Sequence, residues 1–430
     1  MLKNQSKFLG NNQTVYQGQA PARLDVMGGI ADYSGSLVLQ MPLQKHTKVF
    51  ISRRTDKLVR IKSGALQTEL DLSSILIKKG RIVQDKTWKA FDLPYWSLYI
   101  LGCIFVVIDE YYVDCPGLNI LVESDVPQGK GISSSAALEV AVMKALFQLF
   151  ELTPTQKNIP VLAQRAENLV VEAPCGIMDQ LAVYLGEQNA LLPILCQPHT
   201  IYPLVDIPKN IHFVGIDTGV KHAVGGVVYP RVRTAAFMGW SIILQSLGTS
   251  IEEITAQREL FKTSLPYGGY LSNISPIEFE KRFAAILPET ISGKDFIQQF
   301  TTTTDPLTIV EKDTIYAVHI CTRHPVYENH RINRFYQALR TETFNRSLSG
   351  KWMIESHQSY RACGLSCPEA DFIVDWVQSV GIKKECYGAR ITGGGSGGTV
   401  CILTSNTETI EEVCQVYKRE FDYPPMVFGL

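Results

Sequence analysis

A chain of 430 residues is longer than one compact core usually holds, so two domains are expected. Its 45% apolar and 19% charged residues are those of an ordinary globular protein, with enough apolar material to order the whole chain. With 41 basic against 42 acidic residues and a formal net charge of −1, no broad positive field exists for a phosphate backbone, which argues against a nucleic-acid partner.

The N-terminal stretch MLKNQSKFLGNNQTVYQGQ holds no apolar run of signal-peptide length, so export is not expected. The ten cysteines are scattered, and only Cys363 and Cys367 lie within four residues of each other. Without a second pair at zinc-site spacing they read as free thiols in a reducing compartment, the cytoplasm. Leu93 to Ile108 carries no charge but is short of the roughly 20 residues a span needs, and it contains Pro94, Trp96, Ser97 and Gly102. A buried helix and no membrane partner are expected.

Further along the chain, Leu118 to Val126 alternates apolar and polar residues and reads as a strand. It leads into Pro127-Gln128-Gly129-Lys130-Gly131-Ile132-Ser133-Ser134-Ser135-Ala136-Ala137, after which Ser134 to Leu149 is apolar on nearly every side, as a buried helix is. Ile211 to Ile216 is another short strand, and helical patterns cover Arg231 to Leu247, Glu328 to Thr341 and Glu369 to Val380. A glycine run, Gly393 to Gly398, precedes the apolar strand Val400 to Leu403. No repeat, low-complexity tract or linker separates domains, and a boundary near Pro203 is expected, giving domains 1–203 and 204–430.

A helix start offers unpaired N–H groups and the positive end of the helix dipole, and glycines before it allow close approach of an anion. Gly129 and Gly131 followed by three serines fit that description. Neither the Walker pattern GxxxxGK[ST] nor a three-glycine dinucleotide fingerprint is present. From these residues alone, a phosphate loop and a plain turn with Ser133 capping a core helix both remain open.

The segment PQGKGISSSAA resembles the second signature of the GHMP kinase superfamily, which includes galactokinase, homoserine, mevalonate and phosphomevalonate kinases. Pro21 to Gly35, PARLDVMGGIADYSG, resembles the first signature and the Gly393 to Gly398 run the third, in the same order. Ala173-Pro174-Cys175-Gly176-Ile177-Met178-Asp179-Gln180, Trp96 to Gly102 and Glu355-Ser356-His357-Gln358-Ser359 are similar to segments of the galactokinase branch. The resemblance implies an α+β fold. Its N-terminal α/β domain would be like domain 2 of ribosomal protein S5, and its C-terminal domain ferredoxin-like.

For the site, the resemblance implies that Asp179 accepts or orients the proton of the attacking sugar hydroxyl and that Arg23 holds it ionised. That pairing suits phosphoryl transfer, which needs positioning and electrostatic stabilisation more than covalent chemistry. It places ATP against Pro127, Gly129, Lys130, Gly131, Ser133, Ser134, Ser135 and Ala136, and Mg²⁺ on Ser135 and Glu167, oxygen ligands of the kind Mg²⁺ takes. It assigns Gly29, Asp32, Cys175, Gly176, Asp179, Tyr229, Gly394 and Gly395 to the sugar. Taken without the resemblance, Asp179 reads as a structural carboxylate, Glu167 as part of a solvated helix face beside Arg165, Tyr229 as a core aromatic, and the glycine run as a mobile hairpin turn.

Where galactokinases read Gly-Glu-His-Thr-Asp-Tyr, this chain reads Gly28-Gly29-Ile30-Ala31-Asp32-Tyr33. The glutamate that would engage the exocyclic hydroxymethyl of galactose is replaced by Gly29, so discrimination for the sixth carbon is lost. The strings DVMGGIADYSGSLVLQMP, VESDVPQGKGISSSAA and ARITGGGSGGTVCIL also resemble the kinase part of plant L-arabinokinases, and here the kinase part is expected to stand alone. The implied reaction is transfer of the ATP γ-phosphoryl group to the anomeric hydroxyl of L-arabinose by a monomer or homodimer. A galactokinase is an alternative, as is a uronic-acid 1-kinase using Lys221 or His222 for the carboxylate. From another class, a non-catalytic sugar and ATP sensor is a further alternative.

Overall fold

The computed structural model describes residues 7–75, 82–155, 158–221, 227–260 and 265–430. Met1–Arg23, Pro42–Gln128 and Ser133–Gly186 form one compact unit, and Leu24–Met41, Gly129–Ile132 and Glu187–Leu430 a second. These are not the consecutive stretches 1–203 and 204–430. The long strands β1 (Val15–Met27) and β2 (Leu37–Arg53) each pass the chain from one unit to the other, as does the 127–137 loop. His222 lies outside the described residues.

In the first unit, residues 47–53 of β2 pair antiparallel with β5 (Leu118–Ser124), which pairs parallel with β3 (Leu58–Ser63). β3 in turn pairs antiparallel with β4 (Leu66–Asp71). The helices are α1 (Tyr95–Tyr111), α2 (Ser134–Leu149), α3 (Asn158–Ala166) and α4 (Met178–Leu185). α1 covers most of the uncharged run expected as a buried helix and extends past it through Asp109 and Glu110; Pro94 precedes its first turn, and the Ser97 hydroxyl donates to the Pro94 carbonyl at 2.7 Å. α2 has the bounds its apolar run predicts, and Val140, Ala141, Val142 and Met143 in succession are fully buried, so its middle is buried on every side while Gln148 is exposed in its last turn. It lies directly on β1, where a Cβ at Gly18 would stand 1.8 Å from the Ala141 carbonyl.

In the second unit, residues 37–40 of β2 pair antiparallel with β6 (Ala190–Leu195), which also pairs with β7 (Thr200–Ile201) and β8 (Val205–Asp206). Then come β9 (His212–Asp217) and the helices α5 (Val228–Ser246), α6 (Val318–Leu339), α7 (Arg346–Ala362) and α8 (Pro368–Val380). The chain ends with β10 (Cys386–Ile391), β11 (Thr399–Thr404), α9 (Glu408–Phe421) and β12 (Val427–Phe428). These last strands form a four-stranded antiparallel sheet in the order β10-β11-β9-β12.

Two helices depart from expectation. α6 begins ten positions before Glu328 and runs through Pro325, because Cys321, Thr322, His324, Pro325 and Val326 are all buried there. Tertiary burial outweighs the roughly 3 kcal/mol that an interior proline costs. α7 was not expected as a helix, although the Asn345 side chain caps it by accepting from Leu348 N at 3.0 Å. α7 touches β10 through two glycines: a Cβ on Gly388 would stand 2.2 Å from the Gly350 carbonyl, and one on Gly350 1.9 Å from the Tyr387 carbonyl.

That contact sets a buried polar chain across the unit. Asp25 of β1 and Arg390 of β10, both with fully buried side chains, pair at 2.9 Å. Arg390 Nε donates to Ser356 Oγ of α7 at 3.0 Å, Ser356 donates to Glu328 of α6, and Glu328 pairs with Arg331 at 2.6 Å. Removing one member of a buried pair leaves an uncompensated charge and costs about 3–5 kcal/mol, whereas replacing both by apolar groups can be nearly neutral. Asp25→Ala is therefore expected to cost about 3–5 kcal/mol in denaturant unfolding followed by circular dichroism. Asp25→Leu with Arg390→Met should recover only the part due to the unpaired guanidinium, because Gly29 N, Gln40 Nε2 and Gly393 N still lose their acceptor, and a single-variant loss as small as that of an exposed pair would contradict the assignment.

Candidate active site

The first unit gathers a cluster of charged and polar groups. Asp179 stands in the first turn of α4, where the helix dipole favours an anion, and Arg23 reaches its Oδ1 from β1 with Nε at 2.9 Å and Nη2 at 2.7 Å. The arginine side chain is 3% exposed and the aspartate 27%, so the carboxylate keeps an open side. α3 continues into a widened π-type turn, Glu167–Val171, that begins at Glu167; such turns are frequent at functional sites. Glu167 is buried and accepts from Gln180 Nε2 at 2.7 Å and from the Ser135 hydroxyl. Burial and then the charge of Asp179 push its carboxyl up to about 7, against these hydrogen bonds.

Glu139, on α2, was not foreseen. It is fully buried, shares Gln180 Nε2 with Glu167 at 3.2 Å, and is held well above the usual carboxylate range by burial and by the charge of Glu167. Its signal in the sequence was a single carboxylate in the otherwise apolar run AALEVAVM. Cys175 also faces Glu167, with Sγ to Oε2 at 3.4 Å, and its N–H donates to Asn168 Oδ1 at 2.8 Å. Cys175 and Gly176 therefore lie on the loop between Glu167 and Asp179, as the spacing requires.

In the 127–137 loop, Gly129, Gly131 and Ser133 have φ of +71°, +70° and +60°, each in the left-handed region. Ser133 stands at the start of α2 but caps nothing: its side chain accepts no helix N–H, and its hydroxyl is buried with no partner among the described residues. The plain capping reading therefore fails here. Lys130 does not hang free: its Nζ lies 2.8 Å from Asp217 and 3.0 Å from the Tyr423 hydroxyl. Burial works against its charge, but Asp217 and Tyr423 outweigh it and hold the ammonium above its ordinary range.

In the second unit, the two glycine motifs meet. Thr399 Oγ1 donates to the Lys130 carbonyl at 2.6 Å, and a Cβ on Gly131 would lie 3.4 Å from Gly398 Cα. The glycine run forms the β10–β11 hairpin connection and is tied down: Gly398 N donates to Val220 O at 2.9 Å and Ser396 N to Leu365 O at 2.7 Å. Gly394 stays partly exposed, whereas Gly395 is buried, and its Cβ would stand 2.3 Å from the Leu365 carbonyl. Asp32, in the short helical turn Gly29–Ser34, is 8% exposed. Beside it, Tyr33 packs edge-on to Tyr229 at 6.3 Å and under Arg233, which is paired twice at 2.8 Å with the buried Asp305. Tyr229 thus adjoins the Asp32 turn while also belonging to the core. Lys221 is exposed.

Because Ser133 adopts a left-handed backbone that costs a non-glycine residue about 1 kcal/mol, Ser133→Gly is expected to raise stability by about 0.5–1 kcal/mol. Ser133→Ala should change it by less than about 0.5 kcal/mol, since no hydrogen bond is lost. Denaturant midpoints of the two variants test this, and a large loss for Ser133→Ala would show that the hydroxyl is a cap.

Comparison with known proteins now gives this geometry a context. The model of the GHMP kinases N terminal domain matches residues 99–187 and that of the GHMP kinases C terminal domain residues 334–422. An L-arabinokinase of Arabidopsis thaliana is 36% identical over 97% of this chain, and the chain spans only 45% of that relative's length. A galactokinase of Chloroflexus aggregans is 31% identical over 92% of this chain and 85% of its own. Among solved structures, Lactococcus lactis galactokinase complexed with galactose superposes with a TM-score of 0.75 at 22% identity, covering 99% of this chain and 96% of that one. The chain has the two-domain GHMP kinase fold, and it belongs to the GHMP kinases, in the galactokinase branch.

Proposed function

We propose that the chain is an ATP-dependent sugar 1-kinase whose substrate is L-arabinose. The observation that carries the chemistry is the pair Arg23–Asp179: a carboxylate paired with a buried guanidinium, yet with an open side for a sugar hydroxyl. In this reading Asp179 takes the proton of the anomeric hydroxyl, that oxygen bonds the γ-phosphorus of ATP, and the bond from the γ-phosphorus to the bridging oxygen breaks to release ADP. Arg23 orients Asp179 and counters charge on the phosphoryl group. Asp32 and Tyr229 orient the sugar ring. The alternating left-handed residues of the 129–133 segment and the unpartnered Ser133 hydroxyl receive phosphate oxygens.

The residues present fit Mg²⁺. Ser135 and Glu167 offer hard oxygen ligands, and a divalent cation beside the buried Glu139 and Glu167 would favour their ionised forms against the burial that raises them. Bound there, the ion would neutralise charge on the phosphates. The substrate rests on Gly29, which offers no acceptor for an exocyclic hydroxymethyl, and on the relative named L-arabinokinase. A cytoplasmic setting is supported by ten free cysteines. Among the described residues, no helix is long and apolar enough to cross a membrane.

A panel of free sugars with MgATP, with the product identified by phosphorus NMR, tests the substrate: L-arabinose should give a sugar 1-phosphate, and turnover of galactose alone would refute it. Asp179→Asn should lower sugar-dependent ADP release by at least about a hundredfold, the scale of a general base, while nucleotide binding by calorimetry persists. Wild-type protein that binds both ligands and never turns over would favour the sensor. Chelation of divalent ions should abolish turnover, with Mg²⁺ restoring it.

A further inference from the structure

Gly29 does not border an empty space. Its φ is +45°, and a Cβ there would stand 1.5 Å from the Tyr360 hydroxyl oxygen and 2.9 Å from Arg390 Nη2. Tyr360, from the last turns of α7, is fully buried and fills the side-chain volume of position 29. Its hydroxyl is committed twice, accepting from Ile30 N at 2.7 Å and donating to the Gly393 carbonyl at 2.9 Å. The hydroxyl therefore joins the Asp32 turn to the glycine hairpin.

The carboxylate behind it is equally committed. Asp25 Oδ1 accepts from Gly29 N at 3.3 Å and Gln40 Nε2 at 2.8 Å, and Oδ2 from Arg390 Nη1 at 2.9 Å and Gly393 N at 3.0 Å. At Gly29 the Tyr360 hydroxyl and both Asp25 oxygens are thus already engaged and no volume is spare, while Gln40 Oε1 and Arg390 Nη2 are buried without a partner among the described residues. A primary alcohol pressed against Gly29 would lose its water and meet a hydroxyl and a carboxylate that are already engaged, whereas a ring carbon bearing only hydrogens would lose nothing.

We propose that Tyr360 is a specificity-determining residue, its hydroxyl occupying the side-chain position of residue 29 and selecting a pentopyranose over a hexopyranose bearing an exocyclic hydroxymethyl. The proposal rests on the sugar-kinase reading above, with the Gly29–Asp32 turn at the sugar. It also explains why Gly29 cannot simply be replaced: Gly29→Ala collides with Tyr360.

The test is kcat/KM of the wild type, Tyr360→Phe and Tyr360→Leu for L-arabinose and for D-galactose. Removing the hydroxyl, or the ring, should raise the galactose-to-arabinose ratio by about tenfold or more, the scale of one small group in a substrate pocket. Tyr360→Phe keeps the ring packing and serves if Tyr360→Leu does not fold. A role in stability alone would lower both sugars together and leave the ratio fixed. A wild type that prefers L-arabinose, with an unchanged ratio in the folded variants, overturns the role of Tyr360 alone. A wild type that phosphorylates neither sugar overturns the kinase reading, and this proposal with it.

Discussion

The second unit is organised around one buried ion pair. Asp25 and Arg390, 365 residues apart in sequence, have no access to water, and further hydrogen bonds at both ends help their attraction to offset a large desolvation cost, although Arg390 Nη2 has no partner among the described residues. Asp25 holds the backbone N–H groups of Gly29 and Gly393, which belong to the first and last family signatures, and so brings the two loops to one carboxylate. Arg390 extends the network through Ser356 to Glu328 and Arg331, binding α6 and α7 to the sheet. Loop positions that would otherwise be held by glycine-rich backbone are thereby set by charge.

The first unit handles charge differently. Glu139 and Glu167 are both buried and share one amide nitrogen of Gln180, and no cationic side chain pairs with either among the described residues. The cluster is electrostatically unfinished by itself, while the Arg23–Asp179 pair beside it is complete. One unit thus contains a closed network that fixes shape, and the other an open one suited to receive positive charge.

Local features were legible in the sequence. The 129–135 segment carries its glycines, its serines and the start of α2 within a few residues, and the bounds of α2 follow from its own apolar run. Features that depend on tertiary contact were not. Arg23 and Asp179 are 156 residues apart, and only the family resemblance joined them before the structure did. Glu139 was hidden because a lone carboxylate in an apolar helix has no periodic signal. α6 was started too late because Pro325 reads as a boundary when burial is unknown. The fit of Tyr360 into position 29 depends on a glycine at positive φ and a helix pressed against a strand through Gly350 and Gly388, neither of which has a sequence pattern.

The interlock of Gly29 with Tyr360 also constrains how such a site can change by descent. A side chain at position 29 collides with the tyrosine, so a lineage that acquires it first passes through a strained intermediate. Shrinking residue 360 first leaves a cavity, a cost of a few kcal/mol that a stable chain can carry. The two positions are therefore epistatic and their substitutions ordered: the helix residue must yield before the loop residue can grow.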